Sequence, residues 1–254
     1  MEVLSGGRED AIYRDKDTVV RPLKPWSRTV HQLLRHLHNN GFSHCPLCKS
    51  IEENHERLTF IHGDTYNYPL KGNIASVEAL VSAGKMLREM HDASADFLIT
   101  SNEPTWMLPA QQPSEVICHG DFTPYNVALK GNTISGVFDF DTAHPAPRVW
   151  DLAYSVYCWA PFKTDPFDKL GTLETQMVRT KQFLDAYGAN AQQRNMLVDT
   201  MIKRLEALIS YMSNEAEKGD EQFSVNIEDG HCSAYHRDII YLEENRHHIL
   251  QAIN

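Results

Sequence analysis

The chain has 254 residues, 42% of them hydrophobic and 23% charged, with a formal net charge of −10. That composition is ordinary for a globular protein with length for one large or two small cores, and the acidic balance argues against non-specific nucleic-acid binding, where a basic surface is expected. Five cysteines, an odd number in a chain of this size, argue against a disulfide scaffold, so the expectation is a reduced, cytoplasmic protein.

In chain order, Met1–Asp10 carries no basic segment followed by an apolar one and does not read as a signal peptide. No apolar run approaches the length of a bilayer span. Ser5-Gly6-Gly7 is the one candidate for a phosphate-covering loop, because adjacent glycines let backbone N–H groups approach phosphate oxygens; a plain N-terminal tail reads equally well. Ala11–Arg14, Asp15–Asp17 and Thr18–Pro22 read as strand, turn and strand. Ser27 is placed to cap a helix running to about Asn40, with Val30, Leu33, Leu34 and Leu37 on one face and Gly41 ending it. Cys45-Pro46-Leu47-Cys48 has no second Cys-x-x-Cys to complete a zinc site and reads as two small apolar residues in a turn. Leu58–Ile61 predicts a strand leading into His62-Gly63, and Ile74–Ala93 a helix. Residues 99–115 form a polar, proline-bearing connector. From about Trp150 the pattern is helical over roughly 150–160, 171–187, 191–218 and 234–252, with an acidic loop from Gly219 to Gly230.

Between the connector and these helices lies the most informative stretch, Cys118 to Asp141. It holds His119-Gly120-Asp121, then Asn126, then Asp139. Val116–Cys118 leads into a loop, Val127–Leu129 reads as a strand, Lys130–Asn132 as a turn, and Thr133–Phe138 as the returning strand. Such a hairpin returns Asp139 beside Asn126, giving two oxygen ligands suited to Mg²⁺. Asp121 is then left to orient a hydroxyl. Phosphoryl transfer from ATP needs this set.

His119-Gly120-Asp121-x4-Asn126, Phe138-Asp139 and the downstream Asp151-Leu152-Ala153 resemble the aminoglycoside phosphotransferase and choline kinase-like family. The resemblance implies an α+β, bilobal protein-kinase-like fold, with a small β-rich lobe over 1–63 and a large, mainly helical lobe over 64–254. That large lobe would hold the hairpin 116–141 and acceptor-binding helices at its C-terminal end. It implies Asp121 as the catalytic residue, Asn126 and Asp139 as Mg²⁺ ligands, and His119 and Asp151 as structural supports. Asp141 is open between metal ligand, acceptor contact and loop cap. The adenine-binding hinge is expected at His62, and Ser5, Gly6 and Gly7 would cover the phosphates.

The pattern departs from the family in the third strand. Arg21 stands where Lys is expected, and the helix offers Val30-His31 where its Glu partner would be. Arg is a planar fork with a fixed charge, still able to grip phosphate. Lys24 is a second candidate but lies beyond Pro22. Residues Arg21–Trp26, His31–Leu37 and Gly41-Phe42 resemble a bacterial subgroup, some members of which are labelled trifolitoxin-immunity-like.

The expected activity is transfer of the γ-phosphoryl group of Mg-ATP, or GTP, to a hydroxyl of a small acceptor, a cationic one included, such as an aminoglycoside or related metabolite. A non-catalytic binding or immunity protein on the same fold is the alternative. Nucleic acid and membrane are not expected partners. Trp150, Tyr154, Tyr157 and Trp159, with Asp220, Glu221, Glu228 and Asp229, are candidate acceptor walls that would suit an amine; the stronger reading is that the aromatics are helical core and the acids a solvated loop.

Overall fold

The computed structural model describes residues 2–4, 12–100 and 104–254. Ser5, Gly6 and Gly7 lie outside the described residues. The chain divides into two compact units, Met1–Tyr66 with Met86–Arg148, and Asn67–Lys85 with Val149–Asn254.

The first unit opens with an antiparallel sheet. Its strands are β1 (Glu2–Val3), β2 (Tyr13–Asp15), β3 (Thr18–Pro22), β4 (Cys48–Glu52) and β5 (His55–Thr59), in the order β1-β2-β3-β5-β4. β5 starts earlier than the apolar run Leu58–Ile61 suggested. Its partner β3 sets the length: the register runs from Thr18↔Thr59 to Pro22↔His55 and places Arg21 directly opposite Glu56. Glu56 lies on the buried side of the strand, in phase with Leu58. A glutamate at an inward position breaks the hydrophobic alternation by which a strand is read.

Helix α1 (Ser27–Asn39) buries Val30, Leu33, Leu34 and Leu37, each 2% exposed or less. Burying such side chains contributes about 2 kcal/mol apiece. Ser27 does not cap the helix. Trp26 is the N-cap residue, and the Ser27 hydroxyl accepts from the Lys24 N–H at 3.0 Å. The far end follows the expected glycine stop. Gly41 takes φ +87°, its N–H donates to His38 O, and the Phe42 N–H donates to Leu37 O. The last carbonyls of the helix are thereby satisfied.

Helix α2 (Val77–Ser94) is followed by the short α3 (Phe97–Thr100). The Ser94 hydroxyl contacts Ile117 O at 3.3 Å and accepts from the Ile117 N–H at 3.1 Å. This ties the end of α2 to β6 (Val116–Cys118), the strand that precedes the His-Gly-Asp loop.

In the second unit, α4 (Arg148–Trp159), α5 (Leu173–Tyr187), α6 (Ala191–Glu217) and α8 (His231–Ile253) match the expected helices within a few residues. The expected acidic loop at Gly219–Gly230 instead contains α7 (Glu221–Glu228). Asp220 caps it, accepting from the Phe223 N–H at 3.1 Å, and Phe223 is buried. Cap and buried aromatic outweigh the acidic composition that suggested a loop.

Arg179 of α5 is 5% exposed. It donates to Trp159 O from Nε (3.1 Å) and Nη2 (2.9 Å), and to Ala75 O from Nη1 (2.8 Å). Burial without a carboxylate beside it pulls its pKa down to about 10. Arg179→Ala should cost about 3 kcal/mol by leaving these carbonyls unpaired, measured as a lowered urea midpoint. Among the described residues no helix is long and apolar enough to cross a membrane.

Candidate active site

Two antiparallel strand pairs nest here. The outer pair is β6 with β9 (His144–Ala146), and the inner pair is β7 (Val127–Lys130) with β8 (Thr133–Val137). The chain passes from outer to inner pair through residues 119–126 and back through 138–143. Both crossings therefore leave the strands at the same end, and they carry Asp121 and Asp139. The Phe138 N–H donates to Asn126 O at 2.9 Å and closes the mouth of the hairpin.

His119 fixes one crossing to the other. It is fully buried. Its Nε2 donates to Phe138 O at 3.0 Å and its Nδ1 accepts the Asp121 N–H at 3.2 Å. One donating and one accepting nitrogen describe a neutral ring protonated on Nε2. Gly120 has φ +82°, and a Cβ there would drive into Thr142 O. Only glycine fits both the dihedral and the space. Gly120→Ala should abolish turnover and lower the melting temperature together, read by activity assay and thermal denaturation.

The Asp121 carboxylate is held at both oxygens. Oδ1 accepts from the Tyr125 hydroxyl at 3.0 Å and Oδ2 from Asn126 Nδ2 at 2.8 Å. Asn126 Nδ2 also donates to Asp121 O at 3.0 Å. Both contacts are to acceptors, so the amide nitrogen faces Asp121 and the amide oxygen lies on the other side. Tyr125 was not read from sequence; its signal is the spacing of four from Asp121.

Asp139 follows β8 in the left-handed region, φ +64°, with its side chain half-exposed. Asp141 lies in the short 3-10 turn Phe140–Thr142. Burial raises the Asp141 pKa, the Arg21 charge pulls the other way, and the neighbouring Asp139 adds to the rise.

Arg21 reaches both acids from β3. Its Nη2 lies 2.7 Å from Asp141 Oδ1 and its Nη1 3.2 Å from Asp141 Oδ2, with Asp139 Oδ1 at 3.5 Å. Its Nε donates to Glu56 Oε1 at 2.6 Å. Glu56 is 1% exposed, and its second oxygen Oε2 meets His31 Nε2. The carboxylate partner that the helix lacks at Val30-His31 is thus supplied by β5. The strand-to-helix ion pair of the resembled family is replaced by a cross-strand Arg–Glu pair, with the helix contributing an imidazole. Burial alone would raise the Glu56 pKa, but the hydrogen bond from His31 and the Arg21 charge hold it lowered. Lys24 lies beyond the end of β3, as expected.

His62 turns its half-exposed ring to Asp17, Nε2 to Oδ1 at 3.1 Å, while its carbonyl accepts from the Ser135 hydroxyl at 2.8 Å. Asp64 and Leu129 exchange backbone hydrogen bonds, which joins the 62–64 segment to β7. Gly63 permits the approach, since a Cβ there would sit 2.5 Å from Leu129 O. Asp151 is 1% exposed in the first turn of α4, where a negative charge suits the helix dipole.

Of the candidate acceptor walls, Tyr154, Tyr157 and Trp159 are buried in α4. The Arg204 guanidinium lies 4.4 Å from the Tyr154 ring centre and 5.7 Å from that of Trp150. Asp220, Glu221, Glu228 and Asp229 belong to α7 and its ends.

A family model described as the phosphotransferase enzyme family matches residues 26–172, more than half of the chain. The chain belongs to this family. The trifolitoxin immunity protein of Rhizobium leguminosarum bv. trifolii is similar to this phosphotransferase, 31% identical over 232 residues, covering 84% of this chain and 87% of the relative. Among solved structures, a choline/ethanolamine kinase family protein from Mesorhizobium loti aligns with TM-score 0.61 at 14% identity, over 95% of this chain and 88% of that one. Plasmodium vivax ethanolamine kinase aligns with TM-score 0.60 at 12% identity, over 89% and 75%. The gentamicin complex of APH(2")-IIa aligns with TM-score 0.55 at 16% identity, over 95% and 90%. These likenesses carry the fold: the phosphotransferase is an α+β protein of the protein-kinase-like class.

Proposed function

We propose that this phosphotransferase moves the γ-phosphoryl group of Mg-ATP, or GTP, to a hydroxyl of a small molecule in the cytoplasm. The supporting observation is the Asp121 carboxylate held at both oxygens by Tyr125 and Asn126, at the end of the hairpin that presents Asp139. In a loose transition state proton removal is late, so Asp121 mainly aligns the acceptor oxygen. Tyr125 and Asn126 fix its rotamer, and His119 fixes its backbone through the Asp121 N–H.

The donor set fits magnesium. The half-exposed Asp139 carboxylate and the Asn126 amide oxygen are hard oxygen ligands, with Asp141 nearby as a further carboxylate. When bound, Mg²⁺ neutralises charge on the phosphate oxygens. Arg21 supplies a permanent positive charge beside these acids and would grip phosphate, with the 62–64 segment as the adenine hinge and Ser5-Gly6-Gly7 as cover. The small lobe 1–63 would then carry the nucleotide, and 64–254 the acceptor.

A second reading is a nucleotide-poor immunity or binding protein on the same fold. The named immunity relative supports it, as does Arg21 being engaged with Glu56, Asp139 and Asp141. Calorimetry with Mg-ATP and Mg-GTP, run on wild type and Asp139→Ala, separates the two. Magnesium-dependent binding with slow hydrolysis in wild type, lost in the variant, is expected. Absence of binding in both favours the second reading.

A further inference from the structure

In the second unit, three tyrosines surround one ammonium. Lys163 Nζ lies 4.1 Å from the ring centre of Tyr157, 5.7 Å from that of Tyr68 and 5.6 Å from that of Tyr235. Each distance is within the reach of a cation–π attraction, and several rings around one ammonium is how proteins recognise quaternary ammonium groups.

Two of the rings are anchored through their hydroxyls. The Tyr68 hydroxyl donates to Cys158 O at 2.9 Å, and the Tyr157 hydroxyl donates to Asp238 Oδ2 at 2.6 Å. Lys163 donates to the Tyr157 hydroxyl at 2.9 Å. The next residue is anchored by the same carboxylate, since the Thr164 N–H and hydroxyl both donate to Asp238 Oδ1 at 2.7 Å. The lysine stem therefore starts from a fixed point and returns its charge to the rings.

We propose that Tyr68, Tyr157 and Tyr235 form an organic-cation cage plugged by Lys163, which denies choline-like ammonium ligands this site. A tethered occupant acts at an effective concentration of order millimolar or more, so a dilute free cation cannot displace it. Arg204 stands likewise over Tyr154 and Trp150. Where the proposed transfer also holds, a quaternary-ammonium acceptor has no aromatic seat at these rings; that clause alone rests on the functional reading.

The test is binding, independent of turnover. Tetramethylammonium and choline are titrated by NMR into wild type, Lys163→Ala and Lys163→Gln, with folding followed by circular dichroism. The folded variants should bind at least about tenfold more tightly than wild type, the loss of one competing cation–π contact. Equal affinities in wild type and a folded variant overturn the proposal. So does a wild-type spectrum in which the Lys163 side-chain protons show no upfield ring-current shift, a readout that needs no variant. Loss of kinase activity with the cage result intact would count against the proposed transfer and leave the plug standing.

Discussion

Asp121→Ala should lower kcat by about 10²–10⁴-fold while leaving nucleotide affinity within about twofold of wild type. The asymmetry follows from the bonds of the side chain. Both carboxylate oxygens are tied to Tyr125 and Asn126, whereas Arg21 contacts Asp139 and Asp141 instead. Removing Asp121 therefore leaves Arg21, Asp139 and Asp141 with their own contacts. Alanine also releases Asn126 from one of its acceptors, so a modest rise in the magnesium concentration needed for half-maximal rate should accompany the loss. Asp121→Asn keeps the shape but not the negative charge, and should be nearly as slow. Steady-state kinetics with varied nucleotide, beside equilibrium nucleotide binding, distinguish the two parameters. A variant with wild-type kcat would remove Asp121 from the mechanism.

Glu56→Ala should be the most damaging substitution for the fold around β3. It strips a buried carboxylate from between Arg21 and His31. Breaking a buried charged pair by removing one partner costs about 3–5 kcal/mol, because the surviving charge stays desolvated. Here that charge is Arg21, only 12% exposed at its side chain; it keeps Asp141 as a partner, which sets the cost at the low end, about 3 kcal/mol. Nucleotide affinity should fall as well, since Arg21 would lose the bond at Nε that sets its direction. Glu56→Gln should keep much of the packing and lose the acid sensitivity. The carboxylate is held below the usual glutamate range in the folded state, so its contribution is present above the unfolded value and lost as pH falls through the folded one. Wild type should therefore lose stability at acid pH more steeply than Glu56→Gln. Chemical denaturation across an acid pH series reads both effects, and parallel curves would remove Glu56 as the source.

The hairpin that carries the candidate site was legible because its residues are local. His119, Gly120, Asp121, Asn126 and Asp139 lie within one short stretch, and turn residues mark where the strand reverses. The helices of the second unit were legible from their period, and the glycine stop after α1 from Gly41. What could not be read was non-local. Glu56 sits in a strand whose inward face it spoils, and its link to Arg21 is set by the β3–β5 register. Tyr125 looked like filler between two motif residues. The outer pair β6–β9 joins residues far apart in sequence, and β9 contains Pro145, which weakens any strand reading. Helix α7 hid behind an acidic composition that its cap and Phe223 overcome.

The facing positions of Arg21 and Glu56 bear on how this site can change by descent. An exchange of Arg21 for lysine would give up the fork that serves Glu56 and Asp141 at once. An acid introduced at position 31 would set a second buried negative charge against Glu56, which now receives an imidazole there. Neither single step toward a lysine–glutamate arrangement is neutral, so positions 21, 31 and 56 should be inherited as a set. Lineages carrying this set should then be separated from lysine-bearing ones by a fitness valley, and a search pattern demanding lysine in β3 would pass over them.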